Sequence, residues 1–564
     1  MSESCTPVSI YVGGSTGVGV GTNPFGKDIA NVGLFRAIAK HSAHPGKLNF
    51  FNLGTLNPAS LAADIFPGEA PCRDLGIASI FSQDLIAEAG CLLRGSADIT
   101  DLAWKRRARG DRSYSIVGLV HTLAPPAIRQ YIAHCLTSPV QPWDALICTS
   151  PSVKQGLEQM FGELGQFIGD RAGAATPVLP MPHLPVIPLG VDVPAIENRI
   201  DSVGGRDGAR TALGIAEDEI LVLWLGRLSF YEKARPTPMF QAVESAARQS
   251  GKRIRFVMAG WFPNADADRP LYEEAARVHA PSVRVEFADG NNSDVVSRYW
   301  AGSDIFLSLV DNIQETFGIT PVEAMAAGIP VVLSDWDGYR STVRDGIDGI
   351  HVPTLLPPAG DGHLIVERNV LGLDNYLQYV SNVGQHTAVS VDAAAAAIAA
   401  LASDPELRSR MGCAGQKRAR ERFDWPAIVS ELDALWEDLA EKRNSAGAFG
   451  AGTGTETLRD PVKGDPFHAF NHFPTWSLNG DILLSASSSS ETRLEQAESL
   501  DLDRRLPHWR APVAHQVLSF VLDNKTVRFS EIEQHFQEHR GVRLNLLVTW
   551  MCKYGILNFS DTAP

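Results

Sequence analysis

The sequence predicts an α/β fold of two similar halves, followed by a small, mostly helical domain. Short runs rich in β-branched residues alternate with helical segments over residues 1–195 and again over residues 196–442. Such alternation is typical of a parallel sheet that is covered by helices on both faces. The chain of 564 residues is also too long for a single hydrophobic core. We therefore expect two facing α/β domains and a third domain at 506–564.

The first half contains five candidate strands. The run "VSIYVGG" (Val8 to Gly14) ends in glycine, and a segment with helical spacing, Lys27 to His41, follows it. The other four runs have the composition of short buried strands, and they lie at 47–54, 114–122, 144–150 and 184–192.

The second half repeats the pattern after a polar patch at 198–208. Its candidate strands lie at 219–228, 253–260, 283–290, 304–310 and 330–335, and two helical segments close it near Lys442. Ligands of open parallel sheets bind at the carboxyl ends of the strands. Arg227, Trp261 and Glu315 all follow strand ends, which predicts a ligand site at this edge.

The remaining C-terminal sequence divides into two parts. Residues 443–505 have the Gly- and Ser-rich composition of a linker, interrupted by the aromatic stretch "DPFHAFNHFPTWSL" at 465–478, which we expect to pack on a folded body. Residues 506–564 contain three helical segments and a closing strand, a pattern similar to a winged helix. The third segment, "LNLLVTWMCKYG", has Lys553 as its single cation, and residues 506–560 contain six Lys or Arg against four Asp or Glu. We therefore expect a protein-interaction module here rather than a DNA-binding domain.

Composition excludes several classes of protein. A net charge of −15 argues against a general nucleic-acid binder. The seven cysteines lack paired or metal-knuckle spacing, which favours a reducing compartment over a disulfide scaffold. The N-terminus does not resemble a signal peptide, and no run reaches the ~18 apolar residues of a membrane span. These features predict a cytoplasmic protein.

The stretch "ETFGITPVEAMAAGIPVV" (315–332) predicts a short helix preceded by a loop. Thr320 is a suitable N-cap, Pro321 suits the first helical position, and Glu323 completes the spacing of a capping box. Gly328 ends the helix. The helix N-terminus offers unpaired N–H groups and a partial positive charge, so it predicts an anion site, with Glu315 on its loop side.

These motifs together resemble a retaining glycosyltransferase of family 4, a class with two Rossmann-like domains (the GT-B fold). The resemblance rests on Glu-x-Phe-Gly-x4-Glu at 315–323, on "WLGRLSFYEK" and "VIPLGVD", and on the segment that begins "SDPELRSRMG". It covers roughly residues 9–442 and is strongest in the second half, so it implies a GT-B fold with a nucleotide-sugar site.

The resemblance implies a role for each charged residue of the motif. Arg227 and Lys233 would bind the donor diphosphate and stabilise the charge that develops on it as the sugar leaves. Glu315 would accept hydrogen bonds from hydroxyls of the donor sugar, and Glu323 from those of the ribose. Arg227 and Lys233 lie six residues apart, one more than is usual in the family, which leaves Arg235 as an alternative to Lys233. The other expected donor-binding residues of this half are Phe317, Gly318, Ile319 and Thr320.

In the first half the resemblance singles out a glycine-rich loop and a histidine. The loop "GGSTGVGVGTNPFG" (13–26) would approach the donor phosphate through Gly13, Gly14 and Gly17; the alternative is a flexible loop without a ligand. His121, at the end of a strand, matches the histidine that faces the reacting sugar in the family; the alternative is a structural residue. The basic run "WKRRARGDR" (104–112) is either a solvated helix end or a patch for a phosphorylated or lipid-linked acceptor.

The sequence therefore predicts an enzyme that transfers a sugar from a nucleotide-sugar donor to a hydroxyl acceptor, with retention and without a metal or another cofactor. The catalytic candidates are His121, Arg227, Lys233 and Glu315. The acceptor is a glycan, a lipid-linked group, a small molecule or a protein, and no nucleic-acid partner is expected. The alternatives are a non-catalytic GT-B scaffold, a phosphorylase, a nucleotide-sugar epimerase and, from the C-terminal pattern alone, a DNA-binding regulator.

Overall fold

The computed structural model describes residues 7–13, 18, 26–54, 56–173, 179–446, 460–500 and 510–561. The chain divides into two compact units, Met1–Leu458 and Arg459–Pro564, and each is described by itself. The first unit contains both α/β halves.

The first half is built on a six-stranded parallel sheet with the order β3-β2-β1-β4-β5-β6. Its second and fifth strands are buried along their whole length, as expected for a parallel sheet between two layers of helices. The strands are β1 Ser9–Tyr11, β2 Leu48–Asn52, β3 Leu75–Ser79, β4 Cys91–Arg94, β5 Ser115–Val120 and β6 Ala145–Cys148. The helices are α1 Gly26–His41, α2 Pro58–Ile65, α3 Gln83–Ala89, α4 Thr100–Arg107, α5 Pro126–Ala133 and α6 Pro151–Ala172.

The second half contains another six-stranded parallel sheet, with the order β12-β11-β10-β7-β8-β9. The strands are β7 Glu219–Leu225, β8 Arg253–Gly260, β9 Arg284–Asp289, β10 Ile305–Ser308, β11 Val331–Ser334 and β12 Gly349–Val352. The helices up to β12 are α7 Val193–Ser202, α8 Gly205–Ala212, α9 Pro236–Ser250, α10 Ala265–His279, α11 Ser293–Gly302, α12 Ile319–Ala326 and α13 Tyr339–Thr342. Two such sheets in one unit confirm the predicted two-Rossmann, GT-B architecture.

The chain after β12 contains an insertion and three closing helices. The insertion comprises β13 Thr354–Leu355, α14 His363–Val370, α15 Tyr376–Gln385 and β14 Ala388–Val389, and the closing helices are α16 Val391–Ser403, α17 Pro405–Arg418 and α18 Trp425–Ser445. Helix α18 returns to the first half, where Ser42 Oγ donates to Asp433 Oδ1 over 2.9 Å and the Arg443 guanidinium donates to the Gly90 carbonyl over 2.9 Å. The final helix of the second half therefore packs on the first.

The prediction of strands in the two halves is wrong in two respects. The segment predicted as a strand at 184–192 makes only isolated bridges, among them Val186 with Cys148. Strands β3, β4 and β12 were not predicted, because they are short and lack a long run of β-branched residues.

The second unit contains helices and a three-stranded antiparallel sheet with the order β16-β15-β17. The strands are β15 Leu483–Ser485, β16 Thr526–Arg528 and β17 Asn558–Ser560. The helices are α19 Pro466–Ala469, α20 Ser490–Leu500, α21 Arg510–Asn524, α22 Phe529–His535 and α23 Val542–Lys553. The central strand β15 lies within the predicted linker at 443–505, so that part of the linker prediction is wrong. The strand is too short to stand out in a Ser-rich sequence.

The aromatic stretch at 465–478 was expected to be packed, and this expectation is wrong for its three phenylalanines. Phe467 and Phe473 are 72% and 73% exposed, and Phe470 is exposed as well. The stretch forms a single helical turn followed by turns, and it packs at its C-terminal end, where the ring of Trp476 lies 6.1 Å from that of Phe559. In contrast, α23 contributes Leu544, Leu547, Val548 and Met551 to the core of the second unit. Across the described ranges, no helix is long and apolar enough to cross a membrane.

Candidate active site

The carboxyl ends of the two sheets meet at a cleft within the first unit. Thr316, from the loop before α12, donates its hydroxyl to the carbonyl of His121 over 2.7 Å, and its own carbonyl accepts from Thr149 Oγ1 over 3.3 Å. A second crossing joins Ser150 Oγ to Asp337 Oδ1 over 3.3 Å. These bonds bring His121 of the first half next to the Glu-x-Phe-Gly loop of the second.

Helix α12 begins at Gly318, not at Thr320. Gly318 is the N-cap and adopts the left-handed conformation with φ 87°. A Cβ atom at this position would lie 2.0 Å from the ring of Tyr339, so both the backbone and the packing require glycine. The predicted capping box between Thr320 and Glu323 is therefore wrong, because Thr320 already lies in the first helical turn. The N-terminus still faces the loop that carries Glu315.

Each of the two predicted donor cations is paired with a carboxylate. Arg227 lies 3.0 Å from Glu232, and Lys233 lies 3.1 Å from Glu315. Arg235, the alternative to Lys233, instead donates to Ser381 Oγ over 3.0 Å and lies over the ring of Phe230. The structure therefore places Lys233, and not Arg235, against the motif glutamate.

The two glutamates of the motif differ in their electrostatics. Burial alone would raise the pKa of Glu315, but the Lys233 ammonium and hydrogen bonds from backbone N–H groups hold it below its ordinary value. Burial raises the pKa of Glu323 to about 7, since its nearest compensating charge is Arg199. The Glu323 carboxyl makes no hydrogen bond or ion pair with any residue that the structure describes. It is a half-buried acid without a partner among the described residues.

His121 follows β5 and is oriented by two acceptors. Its Nε2 lies 3.0 Å from Asn31 Oδ1 and 3.1 Å from the Gly95 carbonyl, so Nε2 carries the proton. The Asn31 amide also donates to Gly95, which determines its orientation. Burial lowers the pKa of His121 to about 4, and the bond to Gly95 only partly opposes this. The imidazole is therefore neutral near neutral pH.

Of the other predicted donor-binding residues, some do not point a side chain into the cleft, and others lie outside the described residues. Phe317 is 2% exposed and packs against the ring of Phe423 at 5.9 Å, so it supports the loop from the core. Gly13 lies exposed at the edge of a cavity in the first half. Gly14 and Gly17 lie outside the described residues. Ile319 and Thr320 form the first turn of α12.

Sequence reasoning missed Asp337. This residue has φ 41°, a conformation that is uncommon outside glycine and costly for an Asp. Burial, followed by the proximity of Glu315, raises the pKa of its carboxyl to about 7. The sequence contains a signal for this residue, the Asp-Gly pair at 337–338, because such pairs favour turns. Tyr339 is buried and shares a hydrogen bond of 3.0 Å with Ser308, so it supports the loop.

Part of the basic run at 104–112 is structural. Arg106 is completely buried and pairs with Asp144, and it also donates to the carbonyls of Tyr114 and Pro139. Arg109 and Arg112 are exposed just after the end of α4, and Arg112 donates to the carbonyls of Arg443 and Asn444. The solvated helix end therefore describes Arg109 and Arg112 but not Arg106.

A cavity of about 1240 Å³ opens on the first half beside His121. Residues from α1, α2 and the ends of β1, β4 and β5 line most of it, and Gln314 and Tyr376 of the second half complete the lining. No cluster of three or more His, Cys, Asp or Glu side chains that could hold a metal occurs in the described part of the chain. The independence from metal remains a prediction.

Residues 206–356 match the family model described as "Glycosyl transferases group 1". This segment is similar to a group 1 glycosyltransferase domain. It begins in α8, ends just after β13, and contains Arg227, Lys233, Glu315 and Glu323. The two ion pairs of the cleft, Arg227 with Glu232 and Lys233 with Glu315, therefore lie within the segment that matches the family model.

The chain is similar to curated glycosyltransferases over part of its length. A D-inositol 3-phosphate glycosyltransferase of Geodermatophilus obscurus is 26% identical over 302 residues, which are 52% of this chain and 56% of that protein. One from Rhodococcus erythropolis is 31% identical over 150 residues, 26% of this chain and 33% of that protein. The chain thus spans about half the length of the curated relatives it matches.

Among solved structures, sucrose-phosphate synthase from Thermosynechococcus elongatus aligns with a TM-score of 0.48 and 18% identity, over 77% of this chain and 99% of that chain. Anabaena HepE in complex with UDP aligns with a TM-score of 0.47 and 14% identity, over 76% and 99%.

Proposed function

We propose that the protein is a retaining glycosyltransferase that transfers a sugar from a nucleotide-sugar donor to a hydroxyl acceptor. The observation that carries the proposal is the hydrogen bond from Thr316 to the carbonyl of His121. It brings the histidine that ends β5 beside the loop of Glu315, at the common edge of the two sheets. A reacting sugar bound at this edge would contact groups from both halves, one of which lies in the group 1 domain.

The donor diphosphate would bind where the two ion pairs now lie. It carries more charge than one carboxylate, so it would displace Glu232 from Arg227 and Glu315 from Lys233. These cations and the N-terminal amides of α12 would then stabilise the charge that develops on the leaving phosphate. The released Glu315 carboxylate, which is ionised at neutral pH, would accept hydrogen bonds from the donor sugar.

The Glu323 carboxyl, which has no hydrogen-bond partner among the described residues, supports a second contact with the donor. A half-buried acid without a hydrogen-bond partner is costly unless a ligand supplies one. Hydroxyls of the ribose are suitable partners because they donate to either protonation state of the carboxyl. This arrangement accounts for two glutamates on opposite sides of one anion site.

For the chemical step we propose that the acceptor hydroxyl attacks from the face that the leaving phosphate vacates. The bond from the sugar carbon to the acceptor oxygen forms as the bond to the phosphate oxygen breaks, and the acceptor proton passes to that phosphate oxygen. The neutral His121 would contact hydroxyls of the sugar and would not carry charge. Retention and independence of metal both follow from this proposal, and both are open to test.

The donor proposal is tested by measuring thermal unfolding of the full chain with a panel of nucleotide sugars. A donor present at 100 times its Kd should stabilise the protein by about 2.7 kcal/mol, whereas the free sugar should have no effect. NMR of the first-formed product should then show the anomer of the donor, and turnover should persist in chelator. An inverted product would overturn the retaining assignment, and loss of turnover that a divalent ion restores would overturn the assignment of metal independence.

For the second unit we propose a protein-interaction role. Helix α23 buries its apolar residues in the core of the unit, and its two cations, Arg543 and Lys553, lie at opposite ends of the helix. A helix that reads bases would present Arg, Lys, Asn or Gln along the whole face that enters the groove. The full chain should therefore show no salt-sensitive, sub-micromolar binding to duplex DNA in a titration, and such binding would contradict the proposal.

A further inference from the structure

The insertion after β12 reaches across to the first half. Its helices α14 and α15 lie beyond the segment that matches the group 1 family. Tyr379 and Val380 of α15 form a small buried cluster with Ala124, which follows β5 of the first half, and Tyr376 packs against this cluster. The insertion therefore holds Tyr376 beside the cavity near His121.

Tyr376 has a hydroxyl group that no described residue uses as a hydrogen-bond partner. The residue lines the cavity, yet its hydroxyl oxygen is buried and has no hydrogen-bond partner among the described residues. Burial raises the pKa of this phenol, and the proximity of Glu232 adds to the effect, so the group is a neutral donor and acceptor. Buried polar groups in proteins normally find a partner. A ligand in the cavity is the partner that this position offers.

The charges that line the cavity nearly cancel. Asp28 and Asp64 are opposed by Lys27 and Arg94, and Arg94 is already paired with Asp98. The chain between Gly13 and Lys27, part of which lines the cavity, contains no charged residue. A phosphorylated ligand would need an excess of cations, which this lining lacks. Carboxylate, amide and hydroxyl groups beside aromatic rings are instead suited to the hydroxyls of a sugar or cyclitol.

The cavity is also connected to the donor cations. Gln314 lines the cavity, and its amide lies 3.4 Å from Glu232, the carboxylate that holds Arg227. A molecule that fills the cavity therefore lies next to the proposed diphosphate site. This is the position that an acceptor requires.

We propose that Tyr376 binds the acceptor through its hydroxyl, and that the acceptor is an uncharged polyol such as a sugar or cyclitol. The inference rests on the proposed function. It assigns an acceptor contact to an insertion outside the segment that matches the family.

The test is the variant Tyr376→Phe in the full chain, with Tyr379→Phe as the matched control. The control makes the same change one helical turn away, at a residue that does not line the cavity. Acceptors are tested in pairs, each polyol with its phosphate: glucose with glucose 6-phosphate, and myo-inositol with inositol 3-phosphate. The donor is the nucleotide sugar that gives the largest thermal stabilisation, and release of its nucleotide is measured with and without acceptor.

We expect Tyr376→Phe to raise the KM for the polyol roughly five- to thirtyfold and to leave the donor KM unchanged. Its unfolding temperature should stay level or rise, because the hydroxyl has no hydrogen-bond partner among the described residues. A purely structural role would instead lower the unfolding temperature. Tyr379→Phe should leave the acceptor KM as it is in the wild type.

Three results would overturn the inference. An unchanged polyol KM in Tyr376→Phe would remove the assigned contact. A wild-type enzyme that releases nucleotide from the donor but uses the phosphates in preference to the polyols, or uses no polyol, would overturn the acceptor class. A wild-type protein that binds no nucleotide sugar would overturn the proposed function and the inference with it, and the donor measurement alone identifies that case.

Discussion

The two halves of the first unit have the same strand order but different chemistry. In each sheet the third and sixth strands of the half form the edges, and the first and fourth are adjacent at the centre. This order places the loops after the central strands at the same edge in both halves. In the second half these loops carry Arg227, Lys233 and Glu315. In the first half the loop after the central strand β4 carries Asp98 as its charged residue, and His121 follows the neighbouring strand β5. The comparison teaches that topology determines where a site lies, and loop residues determine what it binds.

The halves also share a buried arginine–aspartate pair, and the two pairs differ in their redundancy. Arg106 and Asp144 of the first half are both completely buried. In the second half Asp304 is shared between Arg210, at 2.9 Å, and Arg206, at 2.5 Å. The loss of Arg106 would therefore leave Asp144 without an arginine, whereas the loss of Arg210 would leave Asp304 paired with Arg206.

The largest effect that we predict comes from this difference. Arg106→Met should lower the free energy of unfolding by about 3–5 kcal/mol, because it leaves Asp144 as an unpaired buried charge. Arg210→Met should cost less, since Arg206 still neutralises Asp304. Denaturant titration of both variants measures the comparison. Equal losses would show that the second pair has no redundancy.

The next prediction separates the cations of the second half. Lys233→Met should lower kcat roughly a hundred- to thousandfold, because the ammonium is expected to stabilise charge on the leaving phosphate. Arg235→Met is the control, since this cation is bound to Ser381 on α15. Steady-state turnover with the identified donor measures both. A larger loss in Arg235→Met would transfer the assignment to that residue.

The role of Glu315 predicts a somewhat smaller effect. Glu315→Ala should slow turnover roughly ten- to a hundredfold or more, since charge-assisted hydrogen bonds to the donor sugar are worth about 1.5–3 kcal/mol. Circular dichroism should show an intact fold. Wild-type turnover in this variant would remove Glu315 from the site.

The smallest effect concerns Glu323 and the pH dependence of stability. Its pKa of about 7 lies above that of an ordinary Glu, so the folded state binds more protons than the unfolded state between pH 4.5 and 7. Stability from this group therefore falls as the pH rises through that window and is constant above it. Glu323→Gln should match the wild type near pH 4.5 and be more stable by about 1–2 kcal/mol at pH 8.

Glu315→Gln should change the stability in the direction opposite to Glu323→Gln. The pKa of Glu315 is lowered in the folded state, so its ionised form stabilises the protein above the ordinary Glu pKa, and that contribution is lost as the pH falls. Glu315→Gln should therefore be less stable than the wild type at neutral pH. Unfolding free energies of both variants from pH 4 to 8 test the two signs, and parallel profiles would contradict the distinction between the glutamates.

The sequence by itself determined the alternation of strands and helices, and with it the two parallel sheets. It also identified the loop and helix at 315–328, because glycine, proline and apolar spacing act through neighbours along the chain. Lys233 and Glu315, which are 82 residues apart, were both named from motifs. Their contact at 3.1 Å is a property of the fold.

Only the tertiary structure decided the features that depend on distant residues. Thr320 has the local pattern of an N-cap, but Gly318 is the N-cap of the helix, and the ring of Tyr339 leaves no room for a side chain there. Arg106 looks like part of a solvated basic run, yet Asp144 binds it in the core. Short-range patterns encode backbone preferences of a few tenths to ~1 kcal/mol per residue, whereas buried pairs and close packing are worth several times more. Where the two conflict, as at these residues, the long-range contact prevails.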